Sequence, residues 1–217
     1  MPPRAILFDF DGVIADTENH HVTAWQRTLS FMGLQIADEE AVRSAEVDDR
    51  EFLTELFTAR EIPVDKVDDW VDRKQALTVE LIRYAPRVYP GVVALVGALR
   101  GRARLAVVSG TWRPNVHAIL DASGLADAFN LIVAKEDVAR RKPDPEAYIL
   151  ALKKLRLSAQ STAAIEDSPS GLSAARAAGI RRRIALGHRR PFGDWAEDAA
   201  FLDGLEPIEK VLEQLGF

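Results

Sequence analysis

The chain contains no cysteine. That excludes disulfides, thiolate metal sites and a cysteine nucleophile, and it fits a reducing, cytoplasmic setting. There is no excess of positive charge either: 28 Lys and Arg against 33 Asp and Glu give a formal net charge of −5. Composition therefore makes no case for nucleic acid or an anionic membrane as partner. No apolar run approaches the length of a membrane span. No secretory leader is visible, because Arg4 and Asp9 interrupt the apolar N-terminal stretch. Internal repeats and low-complexity tracts are also lacking. What is present is a chain of 217 residues, 47% hydrophobic and 28% charged. That is enough for one large α/β domain, or for a core with a smaller appended one.

The most informative segment is Asp9-Phe10-Asp11-Gly12, directly after the apolar run Ala5-Ile6-Leu7-Phe8. The run reads as a buried strand with two carboxylates at its end. Strand positions i and i+2 share a face, so Asp9 and Asp11 can address one reacting centre. Two like charges beside a buried strand are costly without a cation, so the pair calls for one.

Apolar spacing divides the rest of the chain. Val22, Trp25, Leu29 and Met32 recur at helical intervals before Gly33. Phe52, Leu53, Leu56 and Phe57 form a second stripe, and Val67 to Leu81 a third. Pro86 and Pro90-Gly91 then mark a boundary. Beyond it, strands are predicted at 105–108, 131–133, 162–165 and 184–186. They alternate with helices at 92–99, 112–122, 144–155 (capped by Asp144), from 168 to near 179, and at 206–215. This alternation predicts an α/β fold with a Rossmann-like parallel sheet and helices on both faces. The core takes residues 1–15 and 86–217, with an inserted helical domain at 16–85. The basic run Arg181-Arg182-Arg183 fits a solvated edge strand, which the last strand is expected to be.

Ligands of open parallel sheets bind outside the carboxyl ends of the strands. Every unusual polar cluster falls at such an end: Asp9 and Asp11, then Ser109-Gly110-Thr111, then Lys142 in the loop before the helix at 144, then Glu166-Asp167. A carboxylate can attack a phosphoryl group, and a second can protonate the leaving oxygen and then activate water. Glu166 and Asp167 add oxygen donors suited to a hard cation such as Mg²⁺. Lys142 supplies a fixed positive charge. Ser109 and the amides of Gly110 and Thr111 can donate to phosphate oxygens.

The strings FDFDGVIADTE, VVSGT, RKPDPEAY and IEDSPSGLSAARAAG occur in this order and span the core. Through them the chain resembles the haloacid dehalogenase superfamily, in the β-phosphoglucomutase-like and phosphatase branch with a helical cap. The resemblance implies a phosphatase acting on a small phosphate ester through an aspartyl-phosphate. It implies Asp9 as nucleophile, Asp11 as general acid and base, and Ser109 and Lys142 as phosphate-binding groups. It implies Mg²⁺ held by the Asp9 side chain, the Asp11 backbone carbonyl and Asp167, with Glu166 binding directly or through water. It disfavours dehalogenation, which has no need of Asp11 as an acid.

The cap is less legible. The resembling mutases have a histidine where His21 stands and a lysine where Lys74 stands, but a surface histidine and a snorkelling lysine fit equally. Arg50 lies near a mutase substrate arginine. Glu18 matches the family string, and is also an ordinary charge for a first helical turn. Two departures count against a strict β-phosphoglucomutase. The family's usual glycine gives way to Ala45-Glu46-Val47, and Trp112-Arg113 stands where a lysine follows the serine motif. A sugar phosphomutase is thus the alternative activity. A phosphate-binding module without turnover would have lost Asp9, Asp11 or Lys142, and all three are present. With a cap to cover its own site, the protein is expected to be a monomer.

Overall fold

The computed structural model describes residues 1–217 except 38, 39, 41, 42, 44–46 and 192. The departure at Ala45-Glu46 lies outside the described residues. The chain divides into two compact units, Met1–Asp16 with Arg87–Phe217, and Thr17–Pro86.

The larger unit is built on six parallel strands: β1 (Ala5–Phe8), β2 (Arg104–Val108), β3 (Leu131–Val133), β4 (Thr162–Glu166), β5 (Arg182–Leu186) and β6 (Ala200–Leu202). Their order is β3-β2-β1-β4-β5-β6. β1 is central and all four of its residues are buried, as expected of a strand covered on both faces. Leu7, Ala106, Val133 and Ala164 pack with Tyr148, Ala151, Ala174 and Ala175, which come from helices on one face. The small residues of those helices let them approach the sheet closely.

Two strand predictions need correction. β6 was not foreseen: it has three residues, all only half buried, too short for a periodic signal. Because it pairs with Ile184, Ala185 and Leu186, β5 is an inner strand and not the edge. Arg183 is accordingly buried, not solvated. Its guanidinium donates to the carbonyls of Ile180 and Asp198 and pairs with the Asp198 carboxylate at 2.8 Å. Its role is structural.

The smaller unit holds α1 (Glu18–Ser30), α2 (Asp49–Ala59) and α3 (Val67–Tyr84). The three predicted stripes meet: Trp25, Leu29, Phe52, Leu53, Leu56, Phe57, Val67 and Val71 form one core. Asp48 caps α2, its Oδ1 accepting from the Arg50 amide at 2.9 Å, a contribution of about 1 kcal/mol.

The larger unit adds α4 (Val92–Leu99), α5 (Arg113–Ala122), α6 (Glu146–Leu155), α7 (Pro169–Ala177) and α8 (Ile208–Leu215). α6 starts two residues after Asp144, whose Oδ1 nevertheless accepts from the Glu146 amide at 2.9 Å. α8 starts two residues later than predicted, with Pro207 at its cap position. No helix among the described residues is long and apolar enough to cross a membrane.

Candidate active site

Strand register assembles the site. Phe8 is level with Val107 of β2 and Ile165 of β4, so the next residues of these three strands meet at one rim. Asp9 follows, its amide donating to the Ile165 carbonyl at 2.9 Å. The strand stops at Phe8, so Asp9 and Asp11 lie just past it and not within it. The chain then turns tightly: the Ile14 and Ala15 amides both donate to the Phe10 carbonyl. Gly12 has φ +86, and a Cβ there would stand 1.9 Å from an Asp167 carboxylate oxygen. Both the backbone and the space require glycine.

Lys142 links the strand ends. Its Nζ donates to Asp9 Oδ1 at 2.7 Å, Glu166 Oε1 at 2.6 Å and the Val108 carbonyl at 2.9 Å. Burial opposes its charge, but Asp9 and Glu166 override that and hold the ammonium protonated above the ordinary lysine range. Glu166 is wholly buried. Its Oε1 also accepts from the Tyr148 hydroxyl, and Oε2 lies 3.4 Å from Ser168 Oγ. A Cβ on Gly171 would fall 2.0 Å from that carboxylate, so α7 can begin here only because position 171 is bare. Burial, then the charge of Asp9, raises Glu166 to about 8.

Asp167 is buried beside them, raised to about 7 by burial and then by Asp9. Arg189, in the loop after β5, approaches its Oδ2 at 3.6 Å. Next to it, the His188 ring lies 4.3 Å from that of Tyr89 and hydrogen-bonds the backbone of Gly12. One ligand atom each from Asp9, Glu166 and Asp167 lies within 4.8 Å of the others. Three buried carboxylates with only oxygen to offer fit a hard divalent cation. Two of them are pushed up towards neutrality by crowding, which a dication would relieve. On the other side of Asp9, Ser109 is buried and its Oγ accepts from the Thr111 amide at 2.9 Å. That bond leaves the hydroxyl proton free to be donated. Gly110 is exposed and Thr111 buried.

Sequence reasoning missed Tyr148, Gly171, His188 and Arg189. Tyr148 sits inside the string RKPDPEAY, but as one position of an apolar helical stripe it reads as packing. Arg189 and His188 follow a strand end, yet in a segment without periodicity.

In the smaller unit, the other predicted residues divide. Lys74 is wholly buried and pairs with Asp49 Oδ1 at 2.7 Å. It also meets His21 Nδ1 at 2.8 Å and lies 5.4 Å from the centre of the Trp25 ring. Asp49 accepts further from Trp25 Nε1 at 3.1 Å and from Gln75. Arg50 is exposed and paired with Asp68 at 2.8 Å, and Glu18 is half-buried in the first turn of α1. His21 is half-buried.

A parallel sheet with carboxylates, a lysine and a buried hydroxyl at its carboxyl rim has its polar groups where open α/β enzymes bind their ligands. The profile of the haloacid dehalogenase-like hydrolases matches residues 3–179, and the chain belongs to that family. It is 31% identical over 216 residues to the phosphorylated carbohydrates phosphatase of Thermotoga maritima, with 98% of each chain covered. It is 33% identical to the phosphoglycolate phosphatase of Rhodospirillum rubrum, covering 82% of this chain and 77% of that one. A CbbY variant from Rhodobacter sphaeroides, solved with xylulose-1,5-bisphosphate, superimposes with a TM-score of 0.83 at 30% identity, covering 94% and 96%. Family and relatives together make the chain a hydrolase of the phosphatase class.

Proposed function

We propose that the protein is a Mg²⁺-dependent phosphatase of small phosphorylated metabolites, with sugar phosphates or related organic phosphates as substrates. The observation that carries the reading is Lys142, one ammonium shared between Asp9 and Glu166 at the rim where Ser109 and Asp167 also end. Lys142 occupies Asp9 Oδ1, which leaves Oδ2 to attack phosphorus. A P–O bond forms to Asp9 as the ester P–O bond breaks, and Asp11 gives its proton to the departing alkoxide. Asp11, now a base, takes a proton from water. Water's oxygen attacks the aspartyl-phosphate, regenerating Asp9 and releasing inorganic phosphate. Ser109 and the Gly110 and Thr111 amides donate to the phosphoryl oxygens, with Lys142 holding the charge. Asp9, Asp167 and the Asp11 carbonyl would hold Mg²⁺, which supplies positive charge for the phosphoryl oxygens. Glu166, committed to Lys142 and Tyr148, is read as acting through water or through Lys142.

Residues Thr17–Pro86 are proposed to form the substrate-selecting cap. His21 and Arg50 are its candidate contacts, and Glu18 belongs to its first turn. Lys74 is read as the cation that sets His21, because its charge is already matched by Asp49. The chain is taken to act as a cytoplasmic monomer on a small-molecule ester. The mutase reading differs only in the acceptor, a second substrate hydroxyl in place of water.

The test is hydrolysis of p-nitrophenyl phosphate with Mg²⁺ and with chelator, followed by a panel of sugar phosphates and phosphoglycolate. Release of phosphate that needs Mg²⁺ and disappears in Asp9→Asn is expected. A folded, metal-loaded protein that hydrolyses none of them overturns the reading. Isomerisation of a sugar 1-phosphate, primed by its bisphosphate and faster than hydrolysis, replaces it with the mutase.

A further inference from the structure

The opposite rim of the sheet carries a second concentration of charge, of the other sign. Arg4 immediately precedes β1 and Arg104 opens β2, where its amide donates to the Arg4 carbonyl at 2.9 Å. The turn holding Arg100, Gly101 and Arg102 follows α4. With Asp127 and Asn130, these residues line a hollow of about 480 Å³. That volume is in the range of small-ligand sites.

Some guanidinium groups of the chain meet carboxylates, as in Arg50 with Asp68, Arg87 with Asp16, Arg113 with Asp137 and Arg176 with Asp198. Around the hollow, Arg4, Arg100 and Arg102 have no ion-pair partner among the described residues. Arg102 instead lies 4.6 Å from the centre of the Phe217 ring. Arg104 is tethered to the Leu155 carbonyl at 2.9 Å. Asn130 Oδ1 accepts from the Leu105 amide at 3.0 Å, so the donor end of its carboxamide has no acceptor among the described residues. Two features oppose an anion: the Asp127 carboxylate and the carbonyl end of α4. Four guanidinium groups outweigh them.

We infer that this hollow is a second anion site, taking a small molecule with a phosphate or pyrophosphate group. Guanidinium forks match phosphate oxygens in pairs, which exposed lysines would not do. The site is separate from the catalytic rim. Arg4 and Asp9 are five residues apart along an extended strand, roughly 16 Å, so one phosphate cannot reach both. The inference does not depend on the reaction at Asp9.

The experiment is a titration of the ¹⁵N-labelled protein with inorganic pyrophosphate at constant ionic strength. The Gly101 and Asn130 amides report on the hollow, and Gly110 on the other rim. Saturable shifts at Gly101 and Asn130 are expected. Arg100→Ala with Arg102→Ala should weaken them at least tenfold and leave the Gly110 response unchanged. Asp127→Asn, which removes the opposing carboxylate, should tighten binding several-fold, an outcome no loss of folding can imitate. Shifts that never saturate, or an affinity the same in wild type and both variants, overturn the proposal.

Discussion

Each unit of the molecule buries one lysine against carboxylate, and the two arrangements differ. In the smaller unit Lys74 pairs with Asp49 and meets His21, and Asp49 also accepts from neutral Trp25 and Gln75. In the larger unit Lys142 faces Asp9 and Glu166, with Asp167 close by and Arg189 at 3.6 Å from it. In the first set one ammonium meets one carboxylate, with neutral donors on the same carboxylate. The second keeps surplus negative charge at a strand rim, and burial pushes two of its carboxylates up because of it. An ammonium paired with a carboxylate among neutral donors reads as framework, whereas surplus buried carboxylate with perturbed pKa values points to function.

That contrast can be broken most sharply at Asp9. Asp9→Asn should lower turnover by about a thousandfold or more while leaving the circular dichroism spectrum intact. Equal activity in the variant would remove the core cluster from the chemistry. Lys74→Met should do the reverse in kind. It strands Asp49 in an apolar interior and should destabilise the protein by about 3–5 kcal/mol in urea unfolding. Lys74→Met with Asp49→Leu should recover much of that loss. If the double variant is as unstable as the single, Lys74 and Asp49 are not a balanced pair.

Metal and pH sharpen the same comparison. Metal-free, Asp167 and Glu166 titrate near 7 and 8, above their ordinary 3.8 and 4.5. A raised folded pKa gives stability that is complete below the unfolded value and lost as pH climbs through the folded one. The chelated protein should therefore lose stability between about pH 4 and pH 8 on their account. The rise in Tm on adding Mg²⁺ should be larger at pH 8 than at pH 5, because protons no longer compete for the carboxylates. A Tm shift independent of pH would separate these residues from the metal. The smallest effect is expected from Tyr148→Phe. Losing one buried hydroxyl to Glu166 should cost about 1–2 kcal/mol and reduce kcat more than it changes KM.

Much of the core site was legible because each of its residues follows a strand or opens the loop beside one. Asp9, Ser109 and Glu166-Asp167 each stand directly after a β-branched or apolar run, and a parallel sheet must bring such ends to one rim. What stayed hidden depends on contacts between elements remote in sequence. Tyr148 reads as packing until the neighbouring strand delivers Glu166 to its hydroxyl. Lys74 reads as a snorkelling lysine until helix packing places Asp49, 25 residues earlier, against it. Arg183 reads as solvated until the fold brings Asp198, 15 residues later, against its guanidinium.

By itself the sequence determined the alternating α/β order, the helical insertion and the identity of the rim residues, because hydrophobic period and strand-end position are local properties of a chain. The tertiary structure alone decided which charges are balanced. An ammonium's partners, its exclusion from water and the pKa of the carboxylates around it depend on distances that only the packed elements set.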